Sequence, residues 1–270
     1  MLPMTWQDFG KLVFEIEDAD PGYMLLERAP ISTDQKQRFL AAWVTFYNPG
    51  IAAKACQYSG SNFWTYLQQQ YPTAKRASER RHFRGAAGRK ALGRWQLMFP
   101  APERMSQSMF GKDYFEVRAK AKSVPQIGDY FIWKLADVQE RVFRLPCHFP
   151  REAAKFSPKV PQQGARMIEP YMEIADTYDL ISKHLNKVLD KAPPRYDRPY
   201  NMQEAETVCC VYKQYRHHKW VPYSRTAKAT RSLLATPSSV GDIMLEALHQ
   251  KTGIQRKDMD QWQQNILTSL

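Results

Sequence analysis

Apolar residues recur every third or fourth position along most of this sequence, and clean period-two alternation is scarce. That spacing lines one face of a helix and leaves no half-buried strands, so it confines the chain to an all-α fold. It predicts helices over 33–47, 51–58, 61–70, 102–110, 114–122, 130–143, 170–189, 202–216 and 240–252, with another starting near Ala86. Ser32 or Thr33 supplies a cap for the first, and Asn48-Pro49-Gly50 breaks it, since a prolyl ring and a glycine interrupt helical propagation. Two stretches read as irregular: 149–167, rich in Pro, Lys and Gln, as an extended crossover, and 192–199 as a connector. No internal repeat is present.

A length of 270 residues with 43% hydrophobic content suffices for a sizeable core. The organisation expected is a helical catalytic domain over 1–220 and a C-terminal helical extension over 221–270, either separate from that domain or part of it. The net charge of +12 calls for a polyanionic partner, either nucleic acid or an acidic membrane surface. Its distribution is uneven. Residues 1–30 carry Asp8, Glu15, Glu17, Asp18, Asp20 and Glu27 against Lys11 and Arg28. Residues 75–94 carry Lys75, Arg76, Arg80, Arg81, Arg84, Arg89, Lys90 and Arg94 against Glu79. One basic face is therefore expected. No stretch approaches the roughly 18 apolar residues of a membrane helix, and the first ten residues lack the basic-then-apolar order of a signal peptide. Cys56, Cys147, Cys209 and Cys210 show no CxxC spacing, which fits a reducing compartment. The expectation is a soluble, intracellular protein with no membrane partner.

Four constellations could carry chemistry. Ser123-Val124-Pro125-Gln126-Ile127-Gly128-Asp129-Tyr130 lies between two expected helices. A Pro/Gly hairpin there turns backbone amides outward at a helix start, where they hold phosphate without reading sequence. Gln126, Gly128, Tyr130 and Lys134 are its candidate DNA-backbone contacts; an ordinary corner between helices is the competing reading. Glu79-Arg80-Arg81-His82-Phe83-Arg84-Gly85 packs three arginines and a histidine into five positions, which suits a compact polyanion, against the alternative of a solvated basic loop. Trp43–Gly50 places Tyr47 and Asn48 at a helix end, an aromatic face and an amide suited to an extruded base, although helix-borne aromatics more often pack the core. In 201–213, Gln203, Glu206 and Lys213 share a helix face, and Glu206 lies one turn from Cys210; core packing is the reading for Cys209 and Cys210. No GxxxxGK[ST], HExxH, GxSxG or GxGxxG occurs, which removes the P-loop, zincin, serine-hydrolase and Rossmann classes.

The hairpin resembles the helix-hairpin-helix of the DNA-glycosylase superfamily, with Gln126 where the first glycine is usual. Base excision is disfavoured, because 143–149 holds no carboxylate where that superfamily carries its aspartate, and Tyr130 replaces the lysine of bifunctional members. In order along the chain, Asp20-Pro21-Gly22-Tyr23-Met24-Leu25-Leu26-Glu27-Arg28-Ala29, Trp43–Gly50, Phe63-Trp64, Glu79–Gly85, the hairpin with its helix, and Gln203–Lys213 are together similar to the phage amino acid:DNA transferases, the α-glutamyl/putrescinyl-thymine pyrophosphorylase clade. The likeness runs from about residue 20 to 215, its most specific part is Glu79-Arg80-Arg81-His82, and the segment from Val221 adds nothing to it.

The resemblance implies a helical glycosylase-like fold repurposed for transfer, working on double-stranded DNA in the cytoplasm of an infected bacterial host. The electrophile is a pyrophosphorylated 5-hydroxymethyl group on a uracil, and an amino acid or amine displaces pyrophosphate, the reaction of thymidine hypermodification. Arg80, Arg81 and Arg84, with Arg28, would hold the leaving group; His82, Glu206 and Asp20 would serve catalysis, one of the carboxylates orienting or deprotonating the amine; Tyr47 and Asn48 would hold the base. A divalent metal could accompany pyrophosphate, but no ligand cluster demands one. The rival readings are a glycosylase-like repair enzyme using Asp129 or Asp137, and a non-catalytic helix-hairpin-helix DNA-binding protein.

Overall fold

Short polar side chains start many of the helices. In the computed structural model, which describes residues 4–74, 83, 85–193 and 197–252, the Thr5 hydroxyl accepts from the Asp8 amide and opens α1 (Trp6–Glu15). Asp20 caps α2 (Pro21–Arg28), whose first residue is a proline that has no amide to leave unsatisfied. Ser32 and Gln35 form a reciprocal capping box at α3 (Thr33–Phe46), and Asn48 caps α4 (Pro49–Ala55). Next come α5 (Gly60–Gln70), α6 (Gly85–Met98), α7 (Glu103–Met109), α8 (Tyr114–Lys122) capped by Asp113, and α9 (Asp129–Arg141). A 3-10 helix (Arg151–Phe156) leads into α10 (Lys159–Ile168) and α11 (Ile174–Val188). Then follow α12 (Met202–Arg216), with an Asn201/Glu204 capping box, α13 (Ser224–Leu234) and α14 (Ser239–Thr252). Among the described residues there is no strand, only an isolated bridge between Asp113 and His148. The all-α expectation holds.

The extended crossover expected over 149–167 does not form; the 3-10 helix and α10 occupy it. Pro158 precedes α10 and Pro161 sits within its first turn, positions where a missing amide is harmless. Proline content there marks a helix start, and the buried face Pro161, Gly164, Ala165 and Ile168 keeps helical spacing.

Two helices form the centre. Every residue of α12 from Met202 to Cys209 is buried, as is every residue of α9 from Phe131 to Gln139. Helix α10 crosses α12 so closely that a Cβ on Gly164 would stand 1.9 Å from the Cys209 carbonyl oxygen. Helix α13 crosses α4 as closely, with Gly50 at 1.9 Å from the Ser232 carbonyl by the same construction; the Gly50 amide donates to Ser232 Oγ at 2.9 Å. All four cysteines are free thiols. No helix among the described residues is long and apolar enough to cross a membrane.

Gly164→Ala and Gly50→Ala should each lower the thermal midpoint by about 2–12 °C, since overpacking costs about 1–3 kcal/mol and each kcal/mol moves a chain of this size by about 2–4 °C. Gly93→Ala is the control, because its Cβ meets nothing within 4 Å. Calorimetry showing equal midpoints for all three variants would contradict these crossings.

Candidate active site

Tyr130, Lys134, Asp137 and Arg141 fall at helical spacing along one side of α9. Such a stripe of mixed charge is ordinarily a solvated face. Here it is turned inward: Lys134, Asp137 and Arg141 are buried, and Tyr130 is half-buried at the outer end. A buried charge stands only where it is paired. Lys134 Nζ lies 3.0 Å from Asp20 Oδ2, while Asp20 Oδ1 accepts the Gly22 amide at 3.1 Å. Asp137 accepts the Tyr23 hydroxyl at 2.5 Å and faces Arg141 at 3.4 Å. Arg141 also reaches Glu204 at 3.5 Å, donates to the Pro193 carbonyl at 2.9 Å, and lies 4.7 Å from the Tyr23 ring centre. Burial alone would push the Lys134 ammonium down, but Asp20, Glu206 and Asp137 together hold it above its ordinary range.

Glu204 and Glu206, two residues apart on α12, have opposite surroundings. Burial raises the Glu204 carboxyl, but Arg198 at 2.9 Å and Arg141 outweigh it, so its pKa is lowered. Glu206 is 2% exposed, and neither of its oxygens has a hydrogen-bond or ion-pair partner among the described residues. Burial pushes its carboxyl up to about 7, tempered by Lys134 and Arg225 and reinforced by Asp137 and Asp20. Two carboxyls whose surroundings drive their pKa values apart are the usual mark of acid–base work. Arg225 approaches from α13. Asp18 fixes that helix start by accepting the Thr226 amide and hydroxyl at 2.8 and 2.9 Å, and the Arg225 guanidinium donates to the Ala19 carbonyl and lies 4.0 Å from Cys210 Sγ.

An aromatic group borders these charges. Tyr47 ends α3 in the left-handed conformation (φ 52°, ψ 44°), a strained backbone for a bulky residue. Its ring stacks on Trp43 (4.7 Å, 21°) and its hydroxyl accepts from Tyr130 at 2.8 Å. Tyr47 also lies within electrostatic reach of Arg225. The structure thus gathers Asp20, Tyr47, Tyr130, Lys134, Asp137 and Glu206, six of the residues singled out from sequence, with Arg141 and Arg225 among them.

Not all are placed as expected. Lys134, expected on the DNA-facing side of the hairpin, is buried against Asp20 and belongs to the interior cluster, because its stripe of α9 faces the core. Arg28 is bound to the buried Glu17 at 2.6 Å; it lies at the far end of α2 from Asp20, about 12 Å away by helical rise. Asn48 Oδ1 accepts the Ile51 amide at 3.0 Å and the Ser232 hydroxyl at 2.7 Å, a structural task. Arg80, Arg81, His82 and Arg84 lie outside the described residues. Phe83 and Gly85 of the same motif are described: Phe83 stacks on Trp95 (5.0 Å, 25°) and meets Tyr71, whose hydroxyl donates to the Gly85 carbonyl at 3.0 Å. Trp95 in turn donates to the Pro125 carbonyl at 2.9 Å, which docks α6 on the hairpin. Gln126 is exposed with φ 63°, the conformation for which a glycine is usual, and Gly128 is exposed at the start of α9. Asp137 is taken up by Tyr23 and Arg141, and Asp129 stands at the surface near Lys122 and Arg118. Among the described residues, no group of three or more His, Cys, Asp or Glu is arranged to hold a metal ion.

A family model for amino acid:DNA transferases matches residues 5–219, from the first helix through the whole of α12. The chain belongs to this family. It is 26% identical over 224 residues to a putrescinyltransferase of Delftia phage PhiW-14, covering 78% of this chain and 72% of that protein. It is also 26% identical over 285 aligned positions to a glycinyltransferase of Pseudomonas phage PaMx11, covering 92% of this chain and 97% of that protein. The chain is therefore a transferase, and the residues missed from sequence in its buried cluster are Tyr23, Arg141, Glu204 and Arg225. The spacing of Lys134, Asp137 and Arg141 was a legible signal; Arg225 had none.

The Glu206 surroundings predict a pH-dependent stability. Its carboxyl titrates near 4.5 when unfolded and at about 7 when folded, so stability falls as pH rises across that window. Above it, the ionised group destabilises the transferase by on the order of 3 kcal/mol. Glu206→Gln should melt higher than the parent at pH 8, with the gap closing towards pH 5. A gap independent of pH would show that this carboxyl carries no such burden.

Proposed function

We propose that this transferase moves an amino acid or amine onto the pyrophosphorylated 5-hydroxymethyl group of a uracil in double-stranded DNA, releasing pyrophosphate. The observation that carries this reading is Glu206, a buried carboxyl within electrostatic reach of Lys134, Asp20 and Arg225 and without a hydrogen-bond or ion-pair partner among the described residues, with Tyr47, paired to Tyr130, in turn within reach of Arg225. An amine attacks only when neutral, so it must first lose a proton to a base poised near neutral pH. Glu206 takes that proton. The amine nitrogen then forms a bond to the methylene as the carbon–oxygen bond to pyrophosphate breaks, and pyrophosphate leaves with the electron pair. The proton left on the new secondary ammonium passes to solvent.

In this reading Asp20, fixed by Lys134, orients the amine, and Tyr47 with Tyr130 supports the extruded base. Arg80, Arg81 and Arg84, with His82, meet the charge that grows on pyrophosphate; preorganised arginines stabilise such charge strongly where water is excluded. Arg28 is left out, because Glu17 already engages it. The hairpin tip at Gln126 and Gly128 contacts the phosphate backbone, and exposed Arg89, Lys90 and Arg94 on α6 extend that surface, since Trp95 docks α6 on the hairpin.

The deciding experiment incubates the enzyme with duplex DNA containing pyrophosphorylated 5-hydroxymethyluracil and a pool of amino acids and polyamines, followed by nucleoside mass spectrometry. An amine adduct with pyrophosphate release is expected. Unchanged nucleosides despite tight binding would overturn this base as the electrophile, and loss of base would replace transfer with excision on this substrate. The rate should rise with pH through about 7 as Glu206 ionises. Glu206→Gln should lose about 10²-fold or more of turnover with DNA affinity intact. Arg89→Ala, Lys90→Ala and Arg94→Ala should each lower the salt slope of DNA binding by about one and leave turnover at saturating DNA unchanged.

A further inference from the structure

The buried charges around α9 and α12 are almost all committed to one another. Asp20 holds Lys134, Asp137 holds Tyr23 and Arg141, Glu204 holds Arg198, and Asp18 caps α13. Two groups stand apart. Glu206 has no hydrogen-bond or ion-pair partner among the described residues, and Arg225 has no ion-pair partner there, although Asp18, Asp20 and Glu206 all lie within its electrostatic reach. The guanidinium of Arg225 spends one nitrogen on the Ala19 carbonyl and rests another against the Cys210 thiol at 4.0 Å. Cys210 is one turn of α12 from Glu206. Arg225 is half-buried, not sealed in.

An unpaired cation and an unpaired acid, side by side, complement a molecule carrying one charge of each sign a few ångströms apart. An α-amino acid is such a molecule. We propose that Arg225 anchors the carboxylate of an α-amino acid co-substrate and so delivers its amine to Glu206. Arginine is suited to this, since its planar fork grips a carboxylate through two parallel hydrogen bonds. The same group repels a second ammonium, which disfavours diamines. The anchor comes from α13, beyond the stretch matched by the family model, so the specificity of this member rests partly on its C-terminal helices. This deepens the proposed transfer and rests on it.

Two measurements separate the anchor from the reaction. In the first, saturation-transfer NMR compares glycine with methylamine and serine with ethanolamine, on the full chain bound to unmodified duplex. A signal from an amino acid, absent from its decarboxylated counterpart and lost in Arg225→Ala, supports the anchor. Equal signals from both members of each pair overturn it. In the second, transfer kinetics use the modified duplex. Arg225→Ala should raise KM for the amino acid at least 30-fold, with kcat much less changed, and should erase the preference over the decarboxylated amine. Arg225→Lys keeps the charge without the fork and should fall between; it also serves if the alanine variant does not fold. An unchanged KM in Arg225→Ala, or a loss of inhibition by inorganic pyrophosphate in place of the KM effect, overturns the anchor while the reaction stands. Binding through Arg225 without any adduct sinks the reaction and leaves the anchor standing.

Discussion

The structure depends on keeping a row of charges inside a helical core. Lys134, Asp137 and Arg141 point from α9 into apolar surroundings, where an isolated charge is untenable, so each must be met by a fixed opposite charge. That requirement dictates the placement of three other segments. The start of α2 must bring Asp20 to Lys134, α12 must bring Glu204 to Arg141, and the turn before α12 must bring Arg198 to Glu204. Replacing these pairs with apolar residues could yield an equally stable core, so stability alone does not account for them. They hold donors and acceptors at fixed distances before any ligand arrives.

Against that background the exception is informative. Glu206 sits among satisfied neighbours with no partner of its own, a state that lowers stability at neutral pH and supplies a proton acceptor poised near it. Strain at Tyr47 lies in the same region: its left-handed backbone is accompanied by ring contacts with Trp43, Tyr130 and Phe131. Local destabilisation of this kind concentrates at functional sites, where the surrounding fold sustains it.

The outer part of the molecule is tied to this centre through aromatic contacts. Phe46, adjacent to Tyr47, meets Tyr71; Tyr71 meets Phe83; Phe83 stacks on Trp95; and Trp95 donates to the hairpin at Pro125. One continuous line of rings therefore links the end of the arginine-rich motif, the basic face of α6 and the hairpin to the helix end that presents Tyr47. These ring contacts join the hairpin and α6 to the end of α3.

The sequence by itself determined the local structure. Helical spacing, with a capping Ser32 or Thr33 at α3, located α3, α8 and α12 to within a residue or so at each end, because these signals act between near neighbours. Residue type and helical placement also pointed to Tyr47 and Glu206, the family resemblance to Asp20, and the hairpin to Tyr130 and Lys134 as backbone contacts. The sequence misjudged 149–167, where prolines that begin helices read as prolines that prevent them. The direction of the α9 stripe was beyond it: charges at helical spacing have the same pattern facing water or facing a partner, and only the opposing Asp20 and Glu204, over a hundred and about sixty positions away, decide between the two. Arg225 was equally hidden, one basic residue in a basic chain until Asp18 fixes the start of α13 and the guanidinium reaches Cys210 of α12. What the tertiary structure alone decided is which charges are satisfied, because pairing is a property of distance in space, and spacing along the chain does not encode it.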